Sequence, residues 1–365
     1  MSMSSFLQGI RVLDLSRHLP GPLATLMLAD MGADVLKVEP PYGDEMRTIG
    51  PQGAHGRSAY FDAVNAGKRS LRLDLRTDAG REELLKLAET SDVVVESFRP
   101  GVLDKLGAGF PLMRQRNPRL VCCALNGFGV GGSLSHKAAH DINYLALAGT
   151  LNAAGPRQRP MPFYPPVADC AGAMFAASAI LGALVNRMRT GHGCEIDLAL
   201  ADAVMPFQLF QLADLDTVGR TPDREGSMMN GGAACYRIYP VAGGRFVSLG
   251  AVEPKFWERF CEAAGRRDWI ARQHEPTPQD RLIGEVEALF AALSLDEAVA
   301  RFEPADCCFA PVLTVQEAAA SPHHAGRGLV RRGPDGDLQA LFPALVDGEP
   351  PKPRRRFQEL PAPRG

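Results

Sequence analysis

The sequence predicts an α/β protein, with a mostly parallel sheet covered by helices and a smaller second domain after it. Three observations carry this. Short β-branched runs alternate with helical patterns through the N-terminal half, as in successive βαβ units. Runs such as Asp92-Val93-Val94-Val95-Glu96 are apolar without alternation, as expected of strands buried on both faces. After a polar, Gly- and Pro-containing stretch at Thr217 to Ser227 the composition changes to a hairpin followed by helices.

Taken in order, Ile10 to Leu15 reads as the first strand and Leu23 to Met31 as a helix, with Pro20-Gly21-Pro22 before it and Gly32 after it. Asp34 to Val38 is the second strand. Ser70 to Leu75, Asp78 to Glu89 and Asp92 to Glu96 repeat strand, amphipathic helix and strand. A short helix near Met113 precedes a strand at Leu120 to Leu125. That strand runs into Asn126-Gly127-Phe128-Gly129-Val130-Gly131-Gly132. Gly127, Gly129 and Gly132 fit G-x-G-x-x-G, but the motif follows a late strand and opens into a polar loop. This favours a loop that approaches a ligand over a dinucleotide fingerprint. Ala171 to Val185 is the longest apolar run, shorter than the roughly 20 residues of a spanning helix, and is expected to be a buried helix. Glu195 to Leu198 reads as strand and Ala199 to Leu212 as helix. Cys235 to Tyr239 and Phe246 to Leu249 form a hairpin across Gly243-Gly244. Helices follow at Pro254 to Ala264, Asp280 to Leu293 and Ser294 to Phe302. Phe309 to Leu313 and a helix at Thr314 to Ser321 lead back, and Pro350 to Gly365 is expected as an extended strap. The domain plan is residues 1–216 completed by 322–365, a linker at 217–230, a small domain at 231–308 and a return linker at 309–321.

A net charge of -2 gives no sign of nucleic acid or an anionic membrane as partner. Eight cysteines without C-x-x-C spacing point to reduced thiols rather than a zinc site or disulfide framework. The first residues lack a basic segment followed by an apolar core, so a cytoplasmic location is expected. His136 and His140 have H-x-x-x-H spacing without the glutamate of a zinc protease helix, and no metal is expected. No G-x-S-x-G elbow supports an acyl-serine mechanism. His323-His324 is expected at the surface. By spacing alone His140 is a loop histidine before a helix, and Asp141 and Asp169 are ordinary helix-start residues.

Longer motifs add to this. Leu7-Gln8-Gly9-Ile10-Arg11-Val12-Leu13-Asp14-Leu15-Ser16, Pro20-Gly21-Pro22, Leu28-Ala29-Asp30-Met31-Gly32-Ala33-Asp34-Val35, Asn65-Ala66-Gly67-Lys68-Arg69-Ser70 and Val95-Glu96-Ser97-Phe98-Arg99-Pro100-Gly101 resemble the family III CoA-transferases, and the likeness spans nearly the whole chain. His140-Asp141-Ile142-Asn143-Tyr144 and Gly250-Ala251-Val252-Glu253-Pro254 resemble the α-methylacyl-CoA racemase branch of that superfamily. The resemblance implies a Rossmann-like large domain and a small domain in a homodimer of interlocked chains. It implies His140 and Asp169 as catalytic residues, with Glu253 of the partner's small domain supporting the histidine. It implies that Arg72, Leu73, Asp74 and Leu75, then Ser97, Phe98, Arg99, Pro100 and Gly101, with Lys105, hold CoA. The same holds for Ala139, Asp141, Ile142, Asn143 and Tyr144. CoA enters as part of the substrate, so no separate cofactor is implied. Ala139 stands where the racemase pattern usually has glycine, Pro40 where some members carry a CoA-binding arginine, and Cys170 where an aromatic is usual. Asn230 and Arg237 are also atypical. The acyl pocket is expected near Met161, Phe163 and Met228-Met229.

The implied chemistry is inversion of the α-carbon of a 2-methyl-branched acyl-CoA through an enolate. One group removes a proton from one face while another delivers one to the other face. Histidine, at about 6.5, is a neutral base near pH 7, whereas aspartate, at about 3.9, must be raised by desolvation to act as acid. The flank Met161 to Val167 is expected to supply that desolvation. Backbone N–H groups at the start of the Asp141 helix would face the enolate oxygen, and Arg72, Arg76, Arg99 and Lys105 are candidates for the diphosphate. The alternatives are CoA transfer to a free acid through an Asp169 anhydride and non-catalytic binding of CoA esters.

Overall fold

A computed structural model describes residues 2–53 and 56–361. The last four residues of the expected strap lie outside them. The strands are β1 Arg11–Leu15, β2 Asp34–Glu39, β3 Arg69–Arg72, β4 Val93–Glu96, β5 Val121–Asn126, β6 Glu195–Ala199, β7 Tyr236–Val241, β8 Arg245–Gly250, β9 Phe309–Pro311, β10 Val330–Arg332, β11 Leu338–Ala340 and β12 Gln358–Glu359. The helices are α1 Pro20–Asp30, α2 Ala59–Asn65, α3 Asp78–Glu89, α4 Val102–Lys105, α5 Phe110–Arg116, α6 Asp141–Leu147, α7 Thr150–Ala153, α8 Val167–Thr190, α9 Leu209–Val218, α10 Pro254–Ala264, α11 Asp280–Ala291, α12 Leu295–Phe302, α13 Val315–Ala320 and α14 Pro322–Arg327.

The chain divides into two compact units. The first comprises Met1–Ala148, Phe163–Pro206 and Ser321–Gly365, and the second Gly149–Pro162 and Phe207–Ala320. The first unit holds a seven-stranded sheet in the order β12-β3-β2-β1-β4-β5-β6. Every pairing in it is parallel. Its six principal strands follow the Rossmann order, which reverses direction between β1 and β4. β4 and β5 are buried at every position, which is why they read as unbroken apolar runs.

A buried ionic network braces the first βα turn. Asp14, on β1, accepts hydrogen bonds from the backbone N–H and hydroxyl of Ser16 and from Thr25 Oγ1. Lys68 Nζ reaches Asp14 at 3.0 Å and also donates to Pro22 O, Thr25 and Asn65. Lys37 Nζ donates to Ser16 O and pairs with Asp44 at 2.9 Å. Burial pushes Asp14 up, but Lys68, Lys37 and the two hydroxyls outweigh it and hold its carboxyl far below the usual range.

The expected buried helix extends from Val167 to Thr190 and is, by length and composition, long and apolar enough to cross a membrane. It is buried along one stripe only: Ala168, Ala171, Gly172, Ala173, Ala176 and Ala177 face inward, while Met174, Val185 and Met188 are exposed. The small stripe permits close approach, since a Cβ on Gly172 would lie 2.3 Å from Leu200. The C-terminal strap adds β12 to the free edge of β3. Arg354 grips Asp30 with two bonds of 2.6 Å. Arg47 lies over Phe61 and Phe357 while bonding Glu39.

The second unit packs helices on the antiparallel sheet β7-β8-β9. Its core is aromatic, with Trp257, Trp269, Phe260, Phe290 and Phe302 fully buried. Arg224 bonds the carbonyls of Asn152, Pro156 and Arg157, so the stretch expected as a linker is tied within this unit.

Two expected elements change. The strand expected to reach Leu75 stops at Arg72, because the Asp74 side chain captures the N–H of Arg76 and turns the chain. The helix expected over Ala199 to Leu212 is instead a 3₁₀ stretch, Asp202–Gln208, followed by α9. Pro206 lacks the N–H that an α-helix needs there.

Candidate active site

In an open parallel sheet, ligands bind beyond the carboxyl ends of the strands, where the order reverses. A cleft of about 600 Å³ lies there in the first unit. The loop after β1 brings Arg17 and His18, the loop after β4 brings Ser97 to Pro100, and the end of β5 brings Asn126 and Gly127. Ala139, His140, Tyr144 and Asp169 complete the functional lining. The sequence-predicted base and carboxyl therefore face one cavity.

His140 occupies the extended position before α6, with φ -129°. Its N–H donates to Asn143 Oδ1 at 3.0 Å, which fixes the turn into the helix. Tyr144 is buried, and its hydroxyl donates to the carbonyl of Ala139 at 3.0 Å. Its ring meets Phe128 edge-on at 5.3 Å. Gly127 makes room for it, because a Cβ there would lie 2.6 Å from the Tyr144 hydroxyl. The first glycine of the G-x-G-x-x-G stretch thus serves side-chain packing next to His140.

Asp169 sits in the first turn of α8. The residue before that helix, Pro166, has no side chain that can cap it. Asp141 does so from a distance: its Oδ1 accepts from the N–H groups of Ala168 at 2.7 Å and Asp169 at 3.1 Å. Asp141 therefore caps α8 rather than only heading its own helix. A helix start favours an anion, but burial prevails. Burial, helped by the charge of Asp141, raises Asp169 to about 7. Burial together with Asp169 and Asp141 pushes Tyr144 up to about 12. The apolar lining comes from Pro20, Val102, Leu125 and Leu200. In the flank expected to supply it, Phe163 and Tyr164 are exposed.

A smaller pocket of about 150 Å³ shares Arg17 and Phe98 with the cleft and is lined by Leu73, Asp74, Leu75 and Arg76. The Arg17 guanidinium lies 5.5 Å from the Phe98 ring centroid, and the Arg17 backbone N–H donates to Ser97 Oγ. Glu96 accepts from the N–H of Phe98 at 2.6 Å, and burial lifts its carboxyl to about 7. Arg72, Gly101, Lys105, Asp141, Ile142 and Asn143 line neither cavity. Arg72 bonds Pro41 O and lies 3.7 Å from Glu359, and Gly101 turns into α4 with φ 77°. Glu253, in the second unit, is exposed at the start of α10. Sequence reasoning missed Arg17, His18, Asn126 and Lys137, which also line the cleft. For Arg17 and His18 the usable signal was their place directly after the first strand. Among the described residues, no three His, Cys, Asp or Glu side chains converge on a metal-sized point.

Residues 7–361 match the profile of CoA-transferase family III. The human protein α-methylacyl-CoA racemase is 35% identical over 326 residues, covering 88% of this chain and 81% of its own. Succinyl-CoA:mesaconate CoA-transferase of Haloarcula hispanica is 37% identical over 274 residues, 73% of this chain and 69% of its own. The crystal structure of a CAIB/BAIF family protein from Brucella suis superposes with a TM-score of 0.85 at 29% identity, covering 96% of this chain and 95% of that one. The chain belongs to CoA-transferase family III.

Proposed function

We propose that the protein is a racemase or epimerase that inverts the α-carbon of a 2-methyl-branched acyl-CoA by 1,1-proton transfer, with His140 and Asp169 as the acid–base pair. The observation that carries this is their shared cleft, in which Asp169 is held at about 7. A carboxyl at that value is part protonated and part ionised at neutral pH, so it can serve in either direction. His140 takes the proton on one face while Asp169 delivers one to the other, and the roles exchange for the opposite enantiomer. The intermediate is the thioester enolate. The N–H groups at the start of α6 are the proposed donors to its oxygen. The pocket at Leu73 to Arg76 and the segment Ser97 to Gly101 are the proposed holders of the CoA handle, with Arg17, Arg99 and Lys137 as cations lining the cleft. Glu253 is proposed to support the histidine of a second copy in a homodimer.

CoA transfer is the second reading. It is supported by relatives such as the mesaconate enzyme at 37% identity. Transfer would use the ionised form of Asp169 as nucleophile, whereas proton delivery uses the protonated form that burial favours. The test is incubation with 2-methylacyl-CoA in deuterated water, with and without added succinate. α-Deuterium incorporation that needs no acceptor acid is the expected result. CoA moving to succinate without α-exchange would overturn the racemase reading.

A further inference from the structure

The two functional side chains stand on different elements, His140 just before α6 and Asp169 in the first turn of α8. One carboxylate joins them. Asp141, the residue after His140, places a single oxygen on the N–H groups of both Ala168 and Asp169. Without it those two donors would have no side-chain cap, because Pro166 provides none. Asp141 is thus the covalent neighbour of the base and the hydrogen-bond partner of the acid's own backbone.

We propose that Asp141 is a positioning residue that fixes Asp169 relative to His140 and sets how readily Asp169 gives up its proton. The proposal rests on the proton-transfer reading above only for its effect on turnover.

The two helix starts favour an anion here, but the cap itself does not require one. Serine or asparagine caps a helix about as well as aspartate. An aspartate adds a negative charge next to Asp169, which makes ionisation of Asp169 harder. That is a cost for folding and a gain for an acid that must hold its proton near neutral pH. The surroundings leave this charge largely unopposed at Asp169. From α6 come Asp141 and Tyr144, and on α8 itself Cys170 is pushed up by burial, Asp169 and Asp141. From α1 the only charged side chain is Asp30, which is engaged by Arg354. β5 brings only cysteines kept neutral by burial. On β6, Glu195 pairs with Arg114 and Asp197 accepts from Val130 N–H. Across the cleft stand Arg17, His18, Glu45, Arg99, Lys137 and His140.

Two variants separate geometry from charge. Asp141→Asn keeps an oxygen acceptor and loses the charge, while Asp141→Ala loses both. The Asp169 carboxyl is followed by ¹³C NMR on protein labelled at the aspartate carboxyl, its signal assigned by its loss in Asp169→Asn. In Asp141→Asn the midpoint is expected to fall from near 7 by on the order of one unit. An unchanged midpoint would overturn the charge role, whatever reaction the enzyme performs. In α-deuterium exchange, the pH limb governed by Asp169 is expected to move to lower pH in Asp141→Asn. Asp141→Ala is expected to lose a further roughly 10- to 100-fold through misplacement. Equal exchange in wild type and Asp141→Ala, with superimposable pH profiles, would overturn the positioning role. If wild type shows no exchange, the racemase reading fails, and the midpoint measurement still decides whether Asp141 tunes Asp169.

Discussion

Asp169→Asn is expected to make the protein more stable at alkaline pH while removing its chemistry. The folded carboxyl sits at about 7, raised by burial and by Asp141 from its ordinary value of 3.8. Below pH 4 the carboxyl is protonated in both the folded and unfolded chain, so it costs nothing. Between pH 4 and 7 the unfolded chain ionises and the folded one does not, so the folded state loses ground steadily. Above pH 8 both are ionised and the penalty is full. Roughly three units at about 1.4 kcal/mol each set a ceiling near 4 kcal/mol. Partial solvent access and relaxation around the carboxylate reduce this to about 2 kcal/mol. Urea denaturation followed by far-UV circular dichroism at pH 4.5, 6, 7.5 and 8.5 measures it. The variant's advantage should open between pH 4.5 and 7.5 and then level off. An advantage that is absent, or the same at every pH, would refute the claim that the folded protein holds Asp169 against its ordinary titration.

Other perturbations test the surrounding frame. Tyr144→Phe removes the bond to the Ala139 carbonyl. It should cost about 1 kcal/mol in urea denaturation, and about 10-fold in turnover with little change in KM, as the base loses its placement. Gly127→Ala should be more damaging, because the new Cβ meets the Tyr144 hydroxyl at 2.6 Å. The double variant Gly127→Ala with Tyr144→Phe should recover part of the lost activity, whereas no recovery would place the damage elsewhere. Lys68→Met strands the buried Asp14 carboxylate. It should cost about 3–5 kcal/mol in thermal or urea denaturation.

Much of this architecture was legible because burial on both faces leaves a plain signature. Val93, Val94 and Val95 are fully buried and read as strand from the sequence alone. α10 runs over the expected residues because Pro254 opens it and Gly265 closes it. Local signals failed where a side chain captured the backbone, as Asp74 does after β3, or where a proline stood inside an apolar run, as Pro206 does. The motif Asn65 to Ser70 was recognisable as a pattern, but its physical reason lay in the fold: Lys68 and Asn65 belong to the network around Asp14, on β1. His140 and Asp169 were singled out by resemblance, since spacing gave each an ordinary explanation. What joins them was not legible. Asp141 was read as the head of its own helix, and nothing in the sequence links it to Ala168 and Asp169 across 27 and 28 positions. Arg17 was passed over because a lone arginine after a strand carries no motif, and only the return of β4 beside β1 sets it against Phe98.

The central claim is that His140 and Asp169 act on opposite faces of one carbon. Its most direct test uses each enantiomer of a 2-methylacyl-CoA separately, in deuterated water, with His140→Ala and Asp169→Ala. Racemisation should vanish in both variants. Each should still wash deuterium into the one enantiomer whose α-hydrogen faces the remaining group, and the two variants should retain opposite enantiomers. Loss of exchange from the same enantiomer in both variants, or racemisation surviving in either, would contradict the account.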